Sequence, residues 1–290
     1  MGRFLAMLKG SRQLLLNLLK LVLKWVLLPM IIGCTLEQGG SLGSLMDPML
    51  EPVVAPAVGA WPEEVSFPLT TRGKHIVDSK GRVVRLRCVN WYGAHMQEMV
   101  VGGLHRQPLQ SLVSSIQALD FNCVRLPYSL EMHLDQPDVR PSAESVAANP
   151  QFLNMSVLKI LNATIHALAT ARIMIILNNH QGKAMWCCSE EDGEGLWFSE
   201  DYSESDWLRS LQMLGRQYSQ EPYVIGYDLR NEPRGIPAAT ARNLQLSTRG
   251  RYLWPQWINT SETGTANWAA AALRAAVAVS QEDPQALIIV

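Results

Sequence analysis

The 290-residue chain carries 25 Lys and Arg against 26 Asp and Glu, a formal net charge of −1, and 48 % of its residues are hydrophobic. That apolar share supports one large core or two small ones. The balanced charge excludes the basic bias of a nucleic-acid-binding protein, and five cysteines are too few for a disulfide scaffold at this length.

Arg3, Lys9, Arg12, Lys20 and Lys24 precede an apolar run from Trp25 to Gly33, followed by Cys34 and Thr35. This is the basic region and short apolar core of a secretory signal over residues 1–35. A spanning helix needs about 20 apolar residues. Reaching back to Leu14 would bury Lys20 and Lys24, each costing about 2.5–3.5 kcal/mol near the bilayer centre. The reading therefore expects a cleavable signal, with an uncleaved signal anchor as the alternative and the only membrane association. Either places the protein outside the cell or in the secretory pathway. Three sequons, at Asn154, Asn162 and Asn259, fit that route.

Residues 36–64 are rich in Gly and Pro and read as a linker. From residue 65 the chain turns globular. His75–Val77 and Arg82–Leu86 flank Asp78-Ser79-Lys80-Gly81 and predict a hairpin. Short apolar runs then recur at Val84–Asn90, Asn122–Pro127, Ile173–Asn178, Val224–Asn231 and Ala286–Val290. Helical patterns at Pro108–Leu119, Phe152–Ala171, Ser205–Tyr218 and Asn267–Ser280 alternate with them. Strict alternation predicts an α/β fold with a parallel sheet and right-handed crossovers. No Gly-rich phosphate turn follows the first strand, which argues against an open nucleotide-binding sheet. Polar residues cluster instead at successive strand ends: Asn90-Trp91, Arg125, Asn178-Asn179-His180 and Asn231-Glu232. That is where a (β/α)8 TIM barrel places its chemistry. About five strands and four helices can be read against the eight of each in such a barrel. The remaining units are expected beyond Val290, and residues 65–290 read as the barrel's N-terminal part.

Asn90-Trp91-Tyr92-Gly93, Phe121–Pro127 with Arg125, Asn178-Asn179-His180 and Leu229-Arg230-Asn231-Glu232-Pro233 resemble, in order, the strand-end motifs of family 5 glycoside hydrolases, the cellulase family. Met185-Trp186-Cys187-Cys188-Ser189 with Asp192-Gly193 is most similar to the plant-type branch. The resemblance implies hydrolysis of β-linked polysaccharide, of glucan or mannan type, with retention of configuration. Two carboxyl groups about 5–5.5 Å apart carry that chemistry.

By the same resemblance Glu232 is the acid/base, Asn231 binds the sugar 2-hydroxyl, and Arg125 holds the nucleophile ionised. His180 contacts substrate, and Asn90, Trp91, Asn179 and Trp186 complete the substrate-binding set. The nucleophile is expected from a later strand, so the chain alone is not expected to turn over. Asp228, four residues before Glu232 on one strand, lies roughly 13 Å from it and is too far to serve.

Trp197, Phe198 and Tyr202 are expected at the barrel top or in its loops, where sugar faces pack on such rings, whereas Trp207 and Trp268 lie on helices and are expected in the core. The segment from Pro233 to Thr263 is longer than the family pattern; its Trp254 and Trp257 are candidates for additional sugar subsites. Cys88 and Cys123 occupy positions for small buried side chains or a disulfide. Cys187-Cys188 with His180 fits no common zinc spacing, so no metal and no cofactor are expected. Two other readings stay open: a carbohydrate-binding pseudoenzyme, and an inactive fragment of a gene model.

Overall fold

Three short strands, Thr70–Arg72 (β1), His75–Val77 (β2) and Val83–Val84 (β3), form an antiparallel sheet in that order. The computed structural model describes residues 64–246, 248, 250–257 and 266–290. The expected signal at 1–35, the linker up to residue 63 and the Asn259 sequon lie outside them. The β2–β3 turn closes on Asp78, whose carboxylate accepts the amides of Lys80 at 3.0 Å and Arg82 at 2.9 Å. An aspartate that hydrogen-bonds the backbone two residues on is a standard turn former, and Gly81 supplies the positive φ of +78°. The hairpin forms where Asp78–Gly81 placed it.

The expected strand Val84–Asn90 divides. Its first residue stays with the hairpin, and Cys88–Asn90 (β4) joins a second sheet. Asn122 separates the two, accepting the Arg87 amide at 2.7 Å and donating to the Arg85 carbonyl at 2.9 Å. A side chain thus satisfies backbone groups that would otherwise need a ladder.

The elements after β4 are Leu109–Ala118 (α1), Cys123–Ser129 (β5), Val157–Thr170 (α2), Met174–Gln181 (β6), Glu204–Tyr218 (α3) and Val224–Asp228 (β7). Ile236–Pro237 (β8), Ala238–Asn243 (α4), Tyr252–Leu253 (β9), Trp268–Glu282 (α5) and Leu287–Ile289 (β10) follow. The main sheet runs β10-β7-β6-β5-β4, with every neighbouring pair parallel. Its five strands, joined by α1, α2, α3 and α5, form part of a (β/α)8 barrel. Central β6 is buried at all of its positions, which is why Ile173–Leu177 reads as an unbroken apolar run. At the edge, register partners Cys88 and Cys123 are joined by a disulfide, stapling β4 to β5.

The helices follow from their sequences. α3 begins with a capping box, Ser203 and Asp206 each satisfying the other's backbone amide. Its buried Trp207, Leu211, Leu214 and Tyr218 recur at helical spacing and face inward. Ala271, Ala275 and Ala278 give α5 a small-residue inner face, and a Cβ on Gly215 of α3 would stand 3.2 Å from Glu282. Trp207 and Trp268 are in the core as expected, with Trp197 5.5 Å from Trp268 between ring centroids. Helix α2 starts later than Phe152: Pro150–Phe152 is a 3-10 turn and Ser156 is the N-cap. Asn154 and Asn162 therefore do not share a helix.

Candidate active site

Parallel register brings the polar strand ends together. Asn90 on β4 pairs with Arg125 on β5, and Asn178 on β6 with Asp228 on β7. Arg125 is the hub. Its Nε donates to Asp228 Oδ2 at 2.7 Å, its Nη2 to Asn231 Oδ1 at 2.9 Å and its Nη1 to Asn90 Oδ1 at 3.4 Å. One planar guanidinium thus ties three strand ends into a single arrangement. Asp228 is mostly buried; desolvation pushes its carboxyl above the ordinary range, while the Arg125 charge pulls the other way.

His180 is buried and its Nδ1–H donates to Asn178 Oδ1 at 2.7 Å, which leaves Nε2 as the free ring nitrogen. Burial, with the charges of His95 and Arg125, pulls it down to about 2, so the ring is neutral. His95 packs against it with ring centroids 4.2 Å apart and is itself buried with Nδ1 lacking a hydrogen-bond partner. The sequence reading missed His95. It reaches the site because Gly93 turns sharply at φ +126°, where a Cβ would stand 2.4 Å from the Val100 carbonyl oxygen. The Trp91-Tyr92-Gly93 motif carried that signal, but not the side chain it delivers.

Asn179 precedes His180 on β6. It is fully buried, and its Oδ1 accepts from Arg230 Nη1 at 3.0 Å. Asn231 is pinned beside it by an amide donating to the Asn179 carbonyl at 2.8 Å. Glu232 follows, exposed, with a left-handed φ of +40°. A non-glycine residue there costs energy and persists only where its surroundings impose it. Among the described residues nothing hydrogen-bonds the Glu232 carboxylate, which leaves it available to a ligand.

Trp91 packs half-buried against the core, with Nε1 donating to the Gly102 carbonyl at 2.8 Å. Trp186 is 69 % exposed, with Tyr92 6.4 Å away at an interplanar angle of 30°. Trp197 and Tyr202 lie in the loop between β6 and α3, but their rings are not presented to a ligand. Both are buried, Trp197 among the core tryptophans and Tyr202 with its hydroxyl donating to Asp135 at 2.7 Å.

Cys187 and Cys188 form a disulfide with each other. Both sulfurs approach Asn231 Nδ2, at 3.7 and 3.8 Å. With a ring nitrogen of His180 they lie within 4.8 Å of one another.

Residues 77–290 match the sequence pattern described as "Cellulase (glycosyl hydrolase family 5)". The chain is 34 % identical over 198 residues to a glycosyl hydrolase 5 family protein of Chamaecyparis obtusa, covering 62 % of this chain and 35 % of that protein. It is 32 % identical over 206 residues to the major extracellular endoglucanase of Xanthomonas campestris, covering 71 % and 39 %. The chain thus spans well under half the length of these relatives. Among solved structures, a hyperthermophilic endocellulase of Pyrococcus horikoshii superposes with a TM-score of 0.64 at 26 % identity, over 77 % of this chain and 56 % of that one. That endocellulase has also been solved with cellotetraose. Parallel strands, polar strand ends and sequence pattern agree: the chain belongs to glycosyl hydrolase family 5.

Proposed function

We propose that the protein hydrolyses β-linked polysaccharide of glucan or mannan type by a retaining, two-carboxylate mechanism in which Glu232 is the acid/base. One observation carries this reading. Arg125 holds Asn231, Asn90 and Asp228 together at the strand ends, immediately before an exposed Glu232 whose carboxylate has no hydrogen-bond partner among the described residues. Glu232 protonates the leaving glycosidic oxygen, then takes a proton from the water that releases the sugar from the second carboxylate. The described residues comprise five of the eight strands of such a barrel, and the proposal draws the nucleophile from one of the others. Asn231 orients the 2-hydroxyl, and neutral His180 lines the glycone side without repelling an oxocarbenium-like charge. Trp186 and Tyr92 offer exposed rings for sugar C–H faces.

The endoglucanase relatives and the cellotetraose complex of the Pyrococcus enzyme support a glucan. The basic and apolar residues of 1–35, together with the named extracellular relative, support export. No helix among the described residues is long and apolar enough to cross a membrane.

The test is leaving-group dependence in a protein that carries both carboxylates. Glu232→Gln should lower hydrolysis of unactivated cello-oligosaccharides by about 10²–10⁴-fold. Aryl glycosides with acidic phenols, which need no protonation to leave, should be affected far less. Equal losses on both substrates would remove Glu232 from the acid/base role.

A further inference from the structure

Glu232 is flanked by two arginines that reach back to one short stretch of chain. On one side, Arg230 Nη2 donates to the Glu194 carbonyl at 2.7 Å and to its Oε2 at 3.2 Å, with the two side chains 1 % and 2 % exposed. Glu194 Oε2 also accepts the Gly182 amide at 2.6 Å, beyond the end of β6. On the other side, the Arg234 amide donates to the Gly195 carbonyl at 2.7 Å and its Nη2 to Asp192 Oδ1 at 2.7 Å. Asp192 in turn caps its own loop, accepting the amides of Glu194 and Ser189, each at 2.8 Å. Gly195 allows the close approach: a Cβ there would stand 2.6 Å from the Gly235 oxygen and 2.7 Å from that of Arg234.

We infer that residues 192–195 form a clasp that grips the chain on both sides of Glu232, through the Arg230 side chain on one side and the Arg234 amide and side chain on the other, with Glu194 and Asp192 as positioning residues for the carboxyl. A buried ion pair is a poor way to gain stability, since an apolar pair of similar volume often does as well or better. What Arg230 and Glu194 offer instead is fixed direction: Arg230 is held by Asn179, by a backbone carbonyl and by a carboxylate at once. The left-handed φ of +40° at Glu232 is the conformation such a grip can impose between two anchored neighbours. The catalytic part of this inference rests on Glu232 being the acid/base; the conformational part does not.

The double variant Arg230→Met/Glu194→Gln keeps volume and retains an oxygen for the Gly182 amide. In the 290-residue chain, NMR should show a strong intraresidue amide–α-proton contact at Glu232, the signature of a left-handed residue. The double variant should melt below the parent, since the Asn179 oxygen and the Glu194 carbonyl lose their donor, but remain folded and lose that signature. A folded variant that keeps it overturns the clasp. In a protein carrying both carboxylates, the same variant should lower kcat at least tenfold with KM changed less than about twofold. Unchanged kcat overturns the positioning role even if the signature is lost. Should the double variant fail to fold, Asp192→Asn, which leaves the Arg230–Glu194 pair intact, is read the same way, with the same outcomes decisive. A parallel Glu232→Gln series shows separately whether the acid/base assignment stands.

Discussion

At the residue scale, the site is built from neutral rings and one shared cation. Burial holds His95 and His133 down at about 4 and His180 at about 2, against an ordinary histidine near 6.5. Because the folded values lie below the unfolded one, the unfolded chain binds more protons below pH 6.5. The stability these rings contribute is therefore complete above about pH 6.5 and is lost as the pH falls from there through the folded values. His133 offers a direct measurement: its Nδ1 is bonded to Ser210 at 2.7 Å, its ring faces Tyr128, and the Arg209 charge adds to burial in lowering it. Melting followed between pH 6.5 and 4.5 should show His133→Asn flattening the acid-side loss by up to about 1.4 kcal/mol per pH unit. An unchanged slope would mean that His133 is protonated alike in both states. Arg125, His180, Asn231 and Glu232 could be named from sequence because each interrupts or follows an apolar run, where a polar side chain has no structural motive. His95 and Glu194 could not: they reach their positions through a glycine turn and a long loop, and neither path has a period to read.

At the element scale, the segment after β7 folds into a hairpin of its own. β8 and β9 form a small antiparallel pair whose inward Ile236 and Leu253 are buried. The Tyr252 hydroxyl donates to Glu191 at 2.6 Å, joining this hairpin to the loop that follows β6. Trp254 then lies across Gly235, where a Cβ would meet its ring at 2.9 Å, and stays 57 % exposed. Gly235 is three residues past Glu232, so the exposed ring stands near the residue proposed as acid/base. Trp254→Ala should therefore weaken binding of long oligosaccharides about tenfold, roughly 1.4 kcal/mol, and leave short ones unchanged. Calorimetry with cellohexaose and cellotriose distinguishes this from a general loss, which would place Trp254 in structural support.

The two described sequons also separate by element. Asn154 is exposed in the turn before α2, while the Asn162 oxygen accepts from Gln217 at 2.8 Å and from the Tyr218 hydroxyl, between α2 and α3. In a eukaryotic secretory host, peptide mass spectrometry should find a glycan on Asn154 and none on Asn162. Full occupancy of Asn162 would mean that this α2–α3 contact opens during folding.

At the scale of the molecule, alternation of apolar runs with helical patterns was enough to read the parallel sheet, because a strand buried on both faces and an amphipathic crossover leave different periods. The order of strands and their polar ends followed from it. The break in Val84–Asn90 was not legible, since it depends on Asn122, distant in sequence, taking over the backbone of residues 85–87. Nor was the hairpin of β8 and β9, each only two residues long. What joins fold and chemistry is convergence: β4, β5, β6 and β7 deliver Asn90, Arg125, His180 and the Asn231-Glu232 pair to one rim.

The most direct measurement of that convergence is a crystal structure of the Glu232→Gln variant with cellotetraose. The account predicts a glycosidic oxygen within about 3 Å of the residue-232 amide, with the adjacent 2-hydroxyl on Asn231 and a sugar ring beside His180. Cellotetraose bound on another face, or lying across these strand ends with no glycosidic oxygen near residue 232, would contradict it.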